Sequence, residues 1–198
     1  MSLRGLGSMP SFRALLSLLT LIPIFASAQT APAGEGTKVP VTFSGGYDTV
    51  GEDRGRPVIL IASALGVSPE VFRKAFSQVK PAPAGERPEE SQVRKNKQAL
   101  IEALAPYQVT NDRLDEVSNF YRYNRQRDDL WQHTPAAAYA MVRDGAVVGI
   151  TITQAGAGYS SIPKVTVEGM PGIKLEATIS FGTDLKTNGS VKEIKIVP

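Results

Sequence analysis

Apolar residues recur every third or fourth position up to about residue 124 and close to every second position from about residue 136 onward. That change of period divides the chain into a mainly helical part and a β part. The helical part, residues 39–124, opens on a short extended piece at 39–43 and the turn-forming Ser44-Gly45-Gly46. Residues 58–65 then form an unbroken apolar run, which by period alone suits a buried strand or a buried helix. The residues after it favour a helix. Gly66 suits a helix C-terminus, Ser68 an N-cap, Pro69 the first helical position and Glu70 the positive end of the next macrodipole. The expectation over 57–79 is therefore a helix, a tight turn and a second helix with Phe72, Ala75, Phe76 and Val79 inward.

A second pair of the same design follows the linker Pro81-Ala82-Pro83-Ala84-Gly85. Residues 89–105 place Val93, Leu100, Ile101 and Leu104 on one helical face. After the turn at 107–111, Thr110 or Asn111 caps a helix bearing Leu114, Val117 and Tyr121. Counted from Val67 and from Val109, apolar positions fall at matching offsets, which predicts two tandem helical hairpins. The polar, proline-closed stretch 125–135 reads as the linker to the β region, 136–198.

The β region carries an Asp144-Gly145 turn between alternating segments, a hairpin signal because its positive-φ turn matches the twist of paired strands. Gly145, Val147, Ile150 and Ile152 reappear as Gly189, Val191, Ile194 and Ile196, an offset of 44 residues (145 to 189). The region is thus expected to contain a partial internal repeat. Between the copies, Gly156, Gly158, Tyr159 and Pro163 read as a structural turn, with the glycines supplying positive φ and Tyr159 packed across them. The fold class expected is α+β, with N-terminal helical hairpins followed by a small antiparallel β region.

The N-terminus changes the setting. Arg4 and Arg13 precede or flank an apolar run at 14–25 that ends in Ala26-Ser27-Ala28. The run is shorter than the ~18–20 residues of a spanning helix and contains Pro23, so residues 1–28 read as a cleavable signal peptide cut between Ala28 and Gln29. The expected location is the periplasm or the extracellular medium, behind a flexible leader at 29–38, with membrane contact only through the signal before cleavage. Loss of Arg4 and Arg13 leaves 20 basic against 19 acidic residues, so the mature chain is close to neutral. The chain has no cysteine, which excludes disulfides, thiolate metal sites and a cysteine nucleophile.

Ala62, Gly66 and Val67 also stand where a DNA-binding helix-turn-helix places a small residue, a turn glycine and a buried aliphatic. The second helix offers only Arg73 and Lys74 as basic groups, so no nucleic-acid partner is expected. The stretch GAGYSSIPKVTV at 156–167 resembles GxGYxxxPxVxx β-repeats of exported bacterial proteins and virion structural proteins. With DRLDEVSNFYRY at 112–123, most of the mature chain resembles a family of exported bacterial proteins to which no catalysis is assigned. That resemblance implies a scaffold or binding role.

Candidate chemistry is sparse. His133 is the only histidine and sits in the polar linker without a motif to place a nucleophile beside it. Ser160 and Ser161 are not in a strand-to-helix elbow, and the Gly-x-Gly before them leads to a strand and not to a phosphate-binding helix. Asp48, Glu52 and Asp53, and Asp112, Asp115 and Glu116, are the carboxylates open to acid–base work, but the second group suits the first turns of a helix. The candidate ligand-binding residues are Tyr121, Arg122, Tyr123, Arg125 and Trp131, where aromatics and arginines interleave at a helix end and suit stacking on a sugar or pairing with an anion. No cofactor and no metal site is expected. The function expected is an exported, non-catalytic binding or envelope-associated protein, its partner an envelope glycan or another exported protein. A carbohydrate- or peptidoglycan-directed hydrolase using carboxylates, and an assembly module pairing through β-repeats, are the alternatives.

Overall fold

The first strand of the described residues lies in the middle of the main sheet. In the computed structural model, which describes residues 36–80, 89–123 and 129–198, strand β1 (Thr37–Ser44) pairs on one side with β2 (Ala137–Arg143) and on the other with β4 (Lys164–Val167). Strand β3 (Ala146–Gln154) completes an antiparallel sheet of order β3-β2-β1-β4, and β5 (Lys174–Ser180) and β6 (Ser190–Val197) form a two-stranded sheet. The segment expected as a signal, with the expected cleavage site at Ala28 and Gln29, most of the expected leader, the 81–88 segment and Arg125 lie outside the described residues.

The protein is α+β. Among the described residues, four helices, α1 (Val58–Ala64), α2 (Pro69–Phe76), α3 (Glu90–Leu104) and α4 (Asn111–Phe120), are inserted between β1 and β2. The sequence order of a helical zone followed by a β zone is therefore corrected: β1 closes the sheet from the other end of the chain. Its extended piece is too short to reveal a partner lying nearly 100 residues away, as the Val41↔Ala138 pairing shows. Pro40 is tolerated in this central strand because the ladder with β4 begins only at Val41, and its carbonyl still accepts the Glu168 N–H at 3.1 Å.

Helix boundaries follow local chemistry. Ser68 Oγ accepts the Val71 N–H at 3.3 Å, and Thr110 Oγ1 accepts the Arg113 N–H at 3.2 Å, so each side chain satisfies a donor the helix itself cannot. Phe72, Ala75, Leu104, Leu114, Val117 and Tyr121 are buried together with the apolar residues of α1. Val93, expected inward, is 48 % exposed, because α3 is long and only its C-terminal half reaches this core. No helix among the described residues is long and apolar enough to cross a membrane.

The repeat has a structural counterpart. Gly145 and Gly189 take φ values of +76° and +73°, each at the entry to the second strand of a hairpin. The pairing of β2 with β3 jumps between Met141↔Gly149 and Val142↔Val147, leaving Val148 as a bulge residue. That of β5 with β6 jumps between Thr178↔Glu193 and Ile179↔Val191, leaving Lys192. The two bulges stand at equivalent positions of the repeat, so the spacing in the sequence encodes a common kink as well as common strands.

A second core lies on the sheet, around Val41, Ala140, Tyr159, Val165, Val167, Ala177 and Val191. The loop at 181–189 between β5 and β6 ties it to the helices. Asp184 folds this loop by accepting the Lys186 N–H at 3.0 Å on a carboxylate oxygen and the Asn188 N–H at 2.8 Å on its carbonyl. Leu185 thereby enters the helical core, and Asn188 becomes fully buried.

Candidate functional site

The segment 45–57 begins at two positive-φ glycines and is fastened at several points to the 156–163 turn. Gly46 adopts φ +90°, and a Cβ there would sit 2.5 Å from the Tyr159 ring, so only glycine lets the backbone pass. Its carbonyl accepts the N–H groups of Ser160 and Ser161 at 2.9 and 3.1 Å. The Ser160 hydroxyl donates to the Asp48 carbonyl at 2.7 Å, and Ser161 Oγ accepts the Asp48 N–H at 3.0 Å. These serines are staples for the loop.

The turn itself is crowded. A Cβ on Gly156 would meet the Thr134 carbonyl oxygen at 2.6 Å, and one on Gly158 would meet His133 Cβ at 2.8 Å. Tyr159 is buried, its hydroxyl accepting the Ala136 N–H at 2.9 Å, and Pro163 is buried beside Gly46. Residues 131–135, expected as linker, instead run against this turn: Thr134 and Ala157 exchange two backbone hydrogen bonds, at 3.0 and 2.9 Å. His133 is exposed, its Nδ1 2.9 Å from the Trp131 carbonyl oxygen and its ring 4.7 Å from that of Tyr47.

Tyr47 joins the loop to the aromatic residues beneath it. It stacks on Tyr159 with centroids 5.3 Å apart and meets Trp131 edge-on at 6.3 Å. Burial, reinforced by the neighbouring Tyr159 phenol, pushes its phenol up to about 12. It stays neutral at any ordinary pH.

Beyond Tyr47 the chain makes a 3-10 turn, Gly51–Asp53, that carries Asp53 inward to 5 % exposure. Both oxygens of Asp53 are taken by one guanidinium: Arg73 Nε donates to Oδ1 at 2.8 Å and Nη2 to Oδ2 at 2.9 Å. This fork pins the loop to α2, and donation to Asp53 raises the Arg73 pKa further above its ordinary value. Glu52 and Glu70 also approach Arg73, at 3.1 and 3.7 Å.

Two clefts flank the pinned loop. The larger, about 380 Å³, lies between Glu52, Arg54, Arg56, Arg73, Phe76 and Val79. The smaller, about 220 Å³, is lined by Asp48, Val50, Ile59, Pro69, Glu70 and Ser160. Asp53, Arg56, Val58 and Arg73 belong to both. Arg56 is half-buried with its guanidinium carbon 3.6 Å from the Phe76 ring centroid, and burial lowers its pKa against the opposing pull of Tyr123 and Asp53.

The described residues of the interleaved aromatic and arginine run do not form one surface. Tyr121 is 1 % exposed, and its hydroxyl accepts the Asn188 side-chain N–H at 2.9 Å, so its faces are core. The reason is helical period: Leu114, Val117 and Tyr121 share the buried face of α4. Trp131 is 2 % exposed and donates Nε1–H to the Gly158 carbonyl at 2.8 Å. Arg122 is exposed and donates to Asn119 Oδ1 at 2.8 Å. Tyr123 and Trp131 both line a shallow depression of about 170 Å³, with Tyr47, Thr49 and Gly55.

Of the carboxylates, Asp112 stands in the first turn of α4, Asp115 pairs with Lys97 at 2.7 Å and Glu116 with Arg113 at 2.6 Å. No group of three or more His, Asp or Glu side chains among the described residues is placed to hold a metal ion. The sequence reading missed Arg56, Arg73 and Tyr47. A signal was present in the alternation Glu52-Asp53-Arg54-Gly55-Arg56 beside a proline, a dense charge cluster at a turn rather than along a solvated helix face. No family model matches this chain, and neither a curated protein nor a solved structure shows significant similarity to it.

Proposed function

We propose that this is an exported, non-catalytic binding protein whose ligand, an envelope glycan, occupies the clefts beside the 47–57 loop. The observation that carries the reading is the Asp53–Arg73 fork, which holds the shared wall of both clefts in place before any ligand arrives. A preformed concavity loses little conformational entropy on binding. The apolar flanks Val58, Phe76 and Val79 beside charged groups suit a sugar ring, which has apolar faces and a polar rim. Asp53, the most buried carboxylate of the site, has both oxygens engaged by Arg73, an arrangement that favours a structural duty over proton transfer.

Two measurements test the reading. Mature protein from its native host should begin at Gln29, and intact mass starting at Met1 would contradict export. On a glycan array the mature protein should retain a defined subset of glycans while releasing no product from cell-wall fragments. Retention of none, or turnover of the fragments, would overturn it.

A further inference from the structure

Arg56 differs from Arg73 in what surrounds its charge. Three carboxylates converge on Arg73: Asp53 with both oxygens, Glu52 at 3.1 Å and Glu70 at 3.7 Å. Arg56 stands at the junction of the same two clefts and makes no ion pair with any carboxylate of the described residues. Its guanidinium instead lies over the Phe76 ring at 3.6 Å. A guanidinium whose charge is met by a ring and not by a carboxylate keeps N–H donors with which to grip a planar or tetrahedral oxyanion through two parallel hydrogen bonds.

Withdrawing a cation from water without an ion-pair partner is unfavourable, and here burial weakens the hold of Arg56 on its proton more than the neighbouring Tyr123 and Asp53 restore it. An anion arriving in the cleft reverses that penalty. It also meets little competition, because the nearest buried carboxylate, Asp53, is already neutralised by Arg73. Glu52 and Glu70 are exposed and repel an anion only through solvent-screened charge.

We propose that Arg56 is the anion subsite of the larger cleft, taking the carboxylate or phosphate of an acidic glycan while Val58, Phe76 and Val79 receive the apolar flank of the group that bears it. The assignment rests on the binding role proposed above and names the chemistry its ligand must carry. Carboxylate from a sugar acid and phosphate from a phosphorylated glycan share this chemistry, and the probes below separate them.

The test is an NMR titration of the mature protein with glucuronate, inorganic phosphate and glucose, following the Arg56 side-chain Nε–H and the backbone of 52–58 and 73–79. Glucuronate or phosphate should shift these resonances saturably and glucose should not. Stronger binding of glucuronate assigns a sugar acid, and stronger binding of phosphate assigns a phosphorylated glycan. Arg56→Gln should weaken the anion by at least about tenfold, the loss of a charge-assisted contact, while Arg56→Lys should fall between. Thermal melts verify that both variants fold, and the wild-type Nε–H shift stands as evidence even if one does not. An unchanged titration in folded Arg56→Gln, or no saturable shift with either anion, overturns the proposal. If Arg56→Gln keeps the wild-type glycan-array pattern, the subsite fails and the binding role survives. If no glycan and no anion binds the wild type, both fail.

Discussion

The side-chain amide of Asn188 donates to the carbonyl of Leu60 at 2.8 Å, joining the β5–β6 loop to α1 across 128 residues of sequence. The same amide reaches the Tyr121 hydroxyl at 2.9 Å, and Asn188 Oδ1 accepts the Gly182 N–H at 3.1 Å. One fully buried polar side chain therefore ties the helical core, the end of α4 and its own loop together. Asn188→Ala leaves the Gly182 N–H and the Tyr121 hydroxyl without this partner and opens a small void. The expected loss is about 2–4 kcal/mol in urea melts, from unsatisfied groups plus cavity. A loss below about 0.5 kcal/mol, the range of surface substitutions, would show that the loop is held some other way.

The Asp53–Arg73 fork makes an asymmetric prediction. Arg73→Met leaves a carboxylate of 5 % exposure without its counter-charge, and breaking a buried pair from one side costs about 3–5 kcal/mol. Because Arg73 is itself about a quarter exposed, the lower end of that range is expected. The double variant Asp53→Asn/Arg73→Met should recover part of the loss, since no charge is then stranded. Equal stability of the single and double variants in denaturant melts would count against a buried pair.

Gly145 and Gly189 separate backbone strain from packing. Both lie near φ +75°, yet a Cβ at Gly145 meets nothing within 4 Å, whereas one at Gly189 meets Leu60 Cδ2 and the Tyr159 oxygen at 2.6 Å. Gly145→Ala should cost about 1–2 kcal/mol, the left-handed penalty alone. Gly189→Ala adds a clash with backbone and should be markedly worse, so thermal melts of the two variants should differ clearly. Similar midpoints would mean that the loop shifts freely.

Those glycines also show what the sequence made legible. Asp144-Gly145 announced its hairpin because φ is +51° and +76° there, a conformation few other residue pairs adopt. The 44-residue spacing announced equivalent strands, and the bulges at Val148 and Lys192 follow it. The change of hydrophobic period announced the α+β class. What stayed hidden depends on contacts distant in sequence. Nothing local to residues 37–44 names β2 and β4 as partners, and nothing in Thr187-Asn188-Gly189 distinguishes a surface turn from a buried hub. Tyr121 and Trp131 illustrate the same gap at the site, because alternating aromatics and arginines have one composition whether the rings face a ligand or the core. Arg56 became visible only once the fold had directed three carboxylates to Arg73 and none to it.

Tyr47 gives the protein an alkaline limit. Its phenol titrates at about 12 when folded against an ordinary 10.0, so between those values the unfolded chain has released the proton that the folded chain keeps. The unfolded state then binds fewer protons, and stability falls as pH rises through this window. The contribution is complete below 10.0. Tyr121, which burial also raises, adds in the same direction. Tyr47→Phe should flatten the decline seen in urea melts across 10.0 to 12 while leaving neutral-pH stability comparatively little changed. A decline as steep as that of the wild type would place the titrating group elsewhere.

A ligand bound beside the 47–57 loop shields the amides there, and hydrogen–deuterium exchange with and without acidic cell-wall glycan fragments reads this out. Added protection is expected at 47–58 and 70–79, with the strands of both sheets unchanged. Protection along β3 or β6 instead, or none at saturating fragment, would contradict it.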